Sequence, residues 1–447
     1  MEKKRADSIS AVRSPRLNKL LRFYFLRFFR RTKLHGWEYD EITAVLGGAR
    51  RKTRGKKRRG SFAPAVRGFH QDAKGMGLYM SDTAKPLRFF LGANTPQGFV
   101  SRFDQLADPT DGWREFVIKG GPGAGKSTLM KRVADFAADR CGQVELIHCS
   151  SDADSLDGVI LPDIKTSIAD GTPPHVIEPK YPGAFEQIVD LSSCWDEHAL
   201  FESRESIMAL SARISRCHEH CCRFLGAAGS LTGDTYRIAL DATTSSKVAK
   251  AARRLALGAF KGGPEGRGRE SVRFLSCVTN KGVLMFEDTA RALCDRLYLI
   301  DDVYGAASRL MLSALRSHAL EMGWDVITCY CPLFPFEKID HLFIPALKIG
   351  FMTSNDFHKP QIEPYKIIRS RRFTDAEQLR AHRKRIAFNR KAAAQMIEQA
   401  GKLLAEAKRL HDQLEEYYRS AMDFEKADSV CRTLLQKYEH ILSRYGL

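Results

Sequence analysis

Glu115-Phe116-Val117-Ile118-Lys119-Gly120-Gly121-Pro122-Gly123-Ala124-Gly125-Lys126-Ser127-Thr128 is the stretch that decides the fold of this 447-residue chain. An apolar run with β-branched and aromatic residues breaks into a glycine-rich turn, and Lys126 then opens a run with Leu129, Met130 and Val133 at helical spacing. The pattern predicts a strand, a tight loop and a helix. Gly120-x-x-x-x-Gly125-Lys126-Ser127 also has the spacing of a phosphate loop, in the context that the motif needs. Such glycines let successive backbone N–H groups turn inward around phosphates, and the positive end of the following helix adds to the attraction. The candidate nucleotide-binding residues are therefore Gly120, Gly121, Pro122, Gly123, Ala124, Gly125, Lys126, Ser127 and Thr128. Lys126 is the candidate catalytic cation on the β- and γ-phosphates, and Ser127 a candidate Mg²⁺ ligand.

A Mg²⁺ site of this kind also wants a carboxylate at the end of a neighbouring strand. Asp170, closing the run Ile164–Ala169, is the first candidate for that metal-binding and catalytic role, and Asp157 is its alternative. Asp152 and Asp154 follow the strand expected at Val144–Cys149 and stay open as well, since aspartate at such places equally serves turns.

From Arg88 onward the chain repeats itself at an offset of about 183 residues. Arg88-Phe89 and Thr95-Pro96-Gln97-Gly98 return as Arg273-Phe274 and Thr279-Asn280-Lys281-Gly282. Asp157, Pro162, Lys165 and His175 return as Asp340, Pro345, Lys348 and His358. Each copy alternates strands with helices, which predicts α/β architecture: two tandem phosphate-loop-type NTPase domains, the second degenerate. Residues 87–260 form the first domain and 273–447 the second. The glycine-rich stretch 261–272 reads as the linker. Long helical regions at 199–260 and 374–444 are expected to form an antiparallel hairpin on each core, the latter opening with the capping box Thr374-Asp375-Ala376-Glu377. The offset of 183 places Arg309 under Lys126, Leu310 under Ser127 and Thr353 under Asp170, so the second copy is expected not to bind nucleotide. Arg309 is instead a candidate to help hold a phosphate at the first site.

The formal charge of +18 is concentrated at one end. Residues 1–86 carry 22 Lys and Arg against 7 Asp and Glu, which leaves the rest at +3. This basic arm, with little hydrophobic periodicity, reads as a disordered extension able to hold nucleic acid or an anionic surface. Its one apolar patch, Leu20–Phe29, is broken by Arg22 and Arg27 and falls short of a membrane span. Eleven scattered cysteines without a secretory leader suit a reduced, cytoplasmic setting better than disulfides. Cys217, His220 and Cys221 share a helix face in Cys217-His218-Glu219-His220-Cys221-Cys222, but zinc needs ligands from separate segments, so helix packing is the expected role. His148 and Cys149 either line the phosphate pocket or simply end their strand.

From Phe89 to about Tyr445 the chain resembles a family of uncharacterised bacterial tandem P-loop ATPases, best known from Firmicutes. The residues that carry the likeness are Gly120 through Lys131, His148-Cys149-Ser150-Ser151-Asp152 with Ser155-Leu156-Asp157-Gly158-Val159, and Asp170-Gly171-Thr172-Pro173-Pro174-His175. The resemblance implies ATP binding and no particular substrate. The functional expectation is thus a Mg²⁺-dependent ATPase with ATP as its ligand, one working site and one decayed repeat, acting on a protein or nucleic-acid partner. A nucleotide or small-molecule kinase is the alternative. Such an enzyme wants an arginine-rich lid, and the segment after His175 offers Lys180 but no arginine before Arg204. A nucleotide-gated binding protein is a third.

Overall fold

The computed structural model describes residues 85–447, and the arm expected over 1–86 lies, but for Lys85 and Pro86, outside them. Two six-stranded mixed sheets carry the chain. In the first half these are β1 (Leu87–Phe89), the hairpin β2 (Gly92–Thr95) and β3 (Gly98–Ser101), β4 (Arg114–Lys119), helix α1 (Lys126–Ala138), β5 (Glu145–His148), β6 (Leu156–Leu161), β7 (Thr166–Asp170) and β8 (Glu186–Asp190). Three helices follow: α2 (Glu197–Glu202), α3 (Arg204–Asp241) and α4 (Ser245–Ala259). The second half repeats the course with β9 (Glu270–Arg273), the hairpin β10 (Ser276–Thr279) and β11 (Gly282–Met285), and a short added helix, α5 (Glu287–Leu293). Then come β12 (Arg296–Asp301), α6 (Ala306–Glu321), β13 (Val326–Cys331), β14 (Phe334–Ile344), β15 (Ile349–Ser354), β16 (Lys366–Arg369), α7 (Ala376–Ala381), α8 (Arg383–Ala421) and α9 (Phe424–Tyr445).

The sheets have one topology. The first runs β1-β5-β6-β7-β4-β8 and the second β9-β13-β14-β15-β12-β16, which is the same order strand for strand. In both, the antiparallel pairs are the two involving β6 or β14, and the rest are parallel. Even a strained position is shared, because Lys165 and Lys348 both sit at positive φ, 46° and 52°. Phe116, Val117 and Ile118 are all buried, as suits a central parallel strand covered on both faces. The halves meet about a local two-fold in which equivalent residues pair, Phe274 matching Phe90 rather than the expected Phe89: the two exchange backbone hydrogen bonds of 2.9 Å in each direction. Around them Phe89, Phe103, Ile147, Phe286, Ile327 and Phe343 form a shared core, and Arg273 of one half makes a buried ion pair of 3.2 Å with Glu145 of the other.

The long helices depart from a hairpin on each core. α3 and α8 instead pair with each other antiparallel, as the contacts of Arg385 with Asp234 near one end and Arg213 with Glu406 towards the other show. At about 1.5 Å per residue each is close to 60 Å long. The helix after each then crosses over. α4 lays Val248, Ala252 and Ala256 on the second sheet, and α9 lays Cys431, Leu434, Tyr438, Ile441 and Leu442 on the first. The expected linker is docked too: Gly268 N–H donates to the Leu320 carbonyl at 2.9 Å and Trp324 Nε1 to that of Phe260 at 3.4 Å. The capping residue of α7 is Asp375 rather than Thr374, its carboxylate accepting from the amides of Glu377 and Gln378. Among the described residues no helix is long and apolar enough to cross a membrane, and all eleven cysteines are free.

Candidate functional site

The glycine-rich turn lies between β4 and α1, where the motif reading placed it. Gly125 caps α1 at φ 83°, a left-handed conformation that costs a residue with Cβ about 1 kcal/mol or more. Leu129, Met130, Val133 and Ala137 fix the helix to the core, so its first turn is held rigidly under the loop. Lys126 folds back into the loop: its Nζ donates to the carbonyls of Gly120 and Gly121 at 2.8 Å each and lies 3.5 Å from Asp170 Oδ2. Ser127 Oγ accepts the amide of Leu156 at 3.0 Å, tying the start of α1 to that of β6. Thr128 is exposed on the first turn.

Asp170 ends β7, the strand paired directly with β4, and is 9% exposed. One oxygen accepts from the amide and hydroxyl of Thr172, at 2.9 and 2.5 Å, which leaves the other facing Lys126. Asp157 lies one residue beyond the Gly158–Ala169 pair of β6 and β7, beside Asp170 across the strands, and is equally buried. The structure therefore brings Lys126, Ser127, Asp157 and Asp170 to one sheet edge. Asp154 is drawn away by Lys281 of the second half, at 2.7 Å, which holds its carboxyl below the usual range. Asp152 braces its own turn through Ser155 at 2.8 Å and faces Lys408.

His175 is the functional side chain to which sequence reasoning assigned no role, although it recurs as His358 and ends the stretch Asp170–His175 that carries the resemblance. Its Nε2 is 3.4 Å from Asp157 Oδ2 and its Nδ1 2.9 Å from the Asp170 carbonyl. Two acceptors on two nitrogens favour the doubly protonated ring. Burial, with the ring stacked on Phe103, pushes its pKa down, but Asp157 and Asp170 together outweigh it and the net direction is upward. Lys119 secures the same segment from the end of β4, donating to the carbonyls of Gly171 and Ile177 at 3.0 and 2.8 Å.

The outside of the loop is covered by the other half of the chain. A Cβ added at Gly121 would stand 2.6 Å from the Tyr418 ring, and one at Gly123 would stand 2.9 Å from the Arg419 stem and 3.0 Å from the Glu415 carbonyl. All three partners lie on α8. These glycines thus serve close approach of helix to loop as well as loop curvature.

His148 belongs to the shared core, its ring 4.8 Å from Phe286, and so does not line this pocket. Cys221 is fully buried among Leu225, Ala228, Ala393 and Ile397, and among the described residues Cys217, His220 and Cys221 form no group spaced for a metal.

The second half places different chemistry at the equivalent edge. Its turn is two residues shorter, with Gly305 at φ 75° capping α6 as Gly125 caps α1. Ala306 and Ala307 therefore stand where Lys126 and Ser127 stand, which corrects the alignment of Arg309 and Leu310 with them. A constant offset had carried across a loop that is two residues short. Thr353 does take the place of Asp170, pairing with Ile300 as Asp170 pairs with Ile118. The amide of Ser308 donates to the buried Asp302 carboxylate at 2.7 Å, so an anion from within the chain already occupies an amide in the first turn of α6. Lys338 Nζ, buried beside Gly305, pairs with Asp340 at 2.7 Å. Arg309 lies over the Tyr236 ring at 4.6 Å and pairs with Glu337 at 2.5 Å, remote from any role at the first loop.

Comparison with known proteins found no family model, no curated protein and no solved structure that matches the chain.

Proposed function

We propose that the chain binds ATP with Mg²⁺ at Gly120–Thr128 and hydrolyses it, as an ATPase with one working site. The observation that carries the reading is Lys126, whose ammonium is held between two loop carbonyls and Asp170 at the mouth of a glycine-rich turn and a helix start. Backbone amides and a cation there fit a chain of phosphates. The donors beside it fit a hard divalent cation, being a hydroxyl and two buried carboxylates rather than thiols or imidazoles. Ser127 and Asp170 would hold Mg²⁺, with Asp157 next to them, and the metal would neutralise charge developing on the phosphates. Lys126 exchanges its loop carbonyls for phosphate oxygens. His175 Nε2 holds the Asp157 carboxylate in place, and the amide and hydroxyl of Thr172 do the same for Asp170. Because Tyr418 and Arg419 seat α8 on the loop, a change in loop shape is passed to the α3–α8 pair, which is the element that a partner would feel.

The test is phosphate release and binding of a fluorescent ATP analogue in Mg²⁺. Wild type should bind and turn over, Lys126→Ala and Ser127→Ala should each lose at least about a hundredfold in turnover, and Asp170→Asn should lose turnover with a smaller loss of binding. Turnover at the wild-type level in Lys126→Ala refutes the site.

A further inference from the structure

Equivalent segments of the two halves carry opposite charge. Residues 366–391 hold ten Lys and Arg against two Asp and Glu, a net +8, whereas residues 187–212, which follow the same course from β8 into α3, hold one against five, a net −4. Asp190 becomes Arg369, Ser192 and Ser193 become Arg371 and Arg372, and Glu205 becomes Lys384. One fold accepts either set, so packing does not call for the cations. Lys366, Arg369, Arg371 and Arg372 line the edge strand β16 and the turn after it, and all are exposed. Arg380, Arg383, Lys384 and Lys391 continue along α7 and α8 and are exposed as well. Among the described residues Arg385 and Arg390 of this segment have acidic partners, Asp234 and Asp356, and none of those eight does. Eight unpartnered cations on so short a stretch repel one another, a cost that an anionic partner removes. The segment also exposes aromatic rings: Phe388 is 62% exposed and Tyr365 likewise 62%. Lys384, Phe388 and Lys391 fall at i, i+4 and i+7, on one face of α8.

We propose that this edge of the second half, β16 through the first turns of α8, is a binding surface for single-stranded nucleic acid. Arginine forks suit phosphate oxygens bidentately, and a ring set between cations suits an unpaired base, a combination that duplexes and lipid headgroups do not use. The inference is independent of the nucleotide reading.

Fluorescence anisotropy on the full chain tests it, with labelled single-stranded DNA and RNA, the matching duplex, and vesicles of phosphatidylserine and phosphatidylcholine. The variant Arg369→Asp, Arg371→Ser, Arg372→Ser, Lys384→Glu installs the first half's own residues and should fold. It should bind single strands at least about tenfold more weakly, with the slope of log affinity against log salt smaller by about 3, at roughly 0.7 per lost contact. Phe388→Ala, a surface change, should weaken single-strand binding about fivefold or more while leaving duplex binding unchanged. Arg216→Glu with Arg223→Glu, on the other part of the helix pair, should change neither. Affinity and slope unchanged in the four-residue variant, equal loss in the Arg216 and Arg223 control, or preferential binding to vesicles or duplex overturns the proposal.

Discussion

Glu115→Gln should make the fold indifferent to a pH range in which the wild type weakens. Glu115 lies in β4, the strand that leads to the glycine-rich turn, directly opposite Glu186 on β8. It is buried, its Oε1 has no partner, and the Glu186 oxygens are occupied by the amides of Lys180 and Tyr181. Burial first, and the Glu186 charge second, raise its pKa from 4.5 to about 7. A carboxyl whose folded pKa exceeds its unfolded one supports the fold fully below pH 4.5, and that support is lost as pH climbs through about 7. At 1.36 kcal/mol per unit, the difference reaches about 3 kcal/mol on the alkaline side. Urea unfolding of wild type and Glu115→Gln at about pH 5.5 and about pH 8.5 isolates the group, because every other titration is common to both. The variant should gain on the wild type by about 2 kcal/mol between the two conditions, the rest of the loss falling below about pH 5.5. Glu115→Leu should behave alike, since Leu297 fills the equivalent place in β12. If the two proteins keep a constant difference across the range, Glu115 is ionised throughout and the account of β4 fails.

His175→Gln should lower turnover and flatten its alkaline limb: the imidazolium that holds Asp157 is present below the free histidine pKa and is lost as pH rises through its raised folded value, so a pH–rate profile that is unchanged in the variant removes His175 from the site. Gly121→Ala should destabilise by about 1–3 kcal/mol through overlap with the Tyr418 ring, and Tyr418→Ala should restore much of it; thermal melts of the single and double variants, if additive, would show that α8 does not rest on the loop. Titration with a non-hydrolysable ATP analogue should saturate at one nucleotide per chain, and a second site that survives Lys126→Ala would mean that Asp302 does not fill the loop before α6. Asp302→Asn should in turn cost about 1–3 kcal/mol of stability in urea, because the amide of Ser308 loses a charged acceptor; no loss would deny that contact its weight.

The strand, turn and helix around Gly120 were legible because local chemistry writes them: glycines punctuate, and Leu129, Met130 and Val133 recur on one face. The tandem repeat was legible because Asp157, Pro162 and Lys165 return in order. Where the helices would land was not. The stripe Leu434, Tyr438, Ile441 says that α9 needs an apolar surface, and either sheet offers one. The choice depends on the α3–α8 pairing, which reverses the chain between the halves. The decayed loop was misaligned for a similar reason, since the offset falls from 184 at Phe90 and Phe274 to 180 at Gly125 and Gly305. Aspartates in turns look alike in sequence, so Asp152 and Asp154 stayed open behind Asp157; Ser155 and Lys281 are the partners that claim them. His175 was hidden because its value lies in contacts with Asp157 on β6 and the Phe103 ring, neither of which is its neighbour along the chain.

The crossing of α4 and α9 has a consequence for how the molecule is made. Synthesis runs from the N-terminus, and the first sheet is finished at Asp190, yet the helix that covers one of its faces begins at Phe424. At about 5–20 residues per second the ribosome needs roughly 10 to 50 s to span that interval. Throughout it the apolar residues that α9 will cover, Phe116 and Ile164 among them, stay open to water and to other nascent chains. A fragment that stops after the first half lacks α9 and leaves that side of its sheet bare, an apolar surface that in the whole chain the last helix covers.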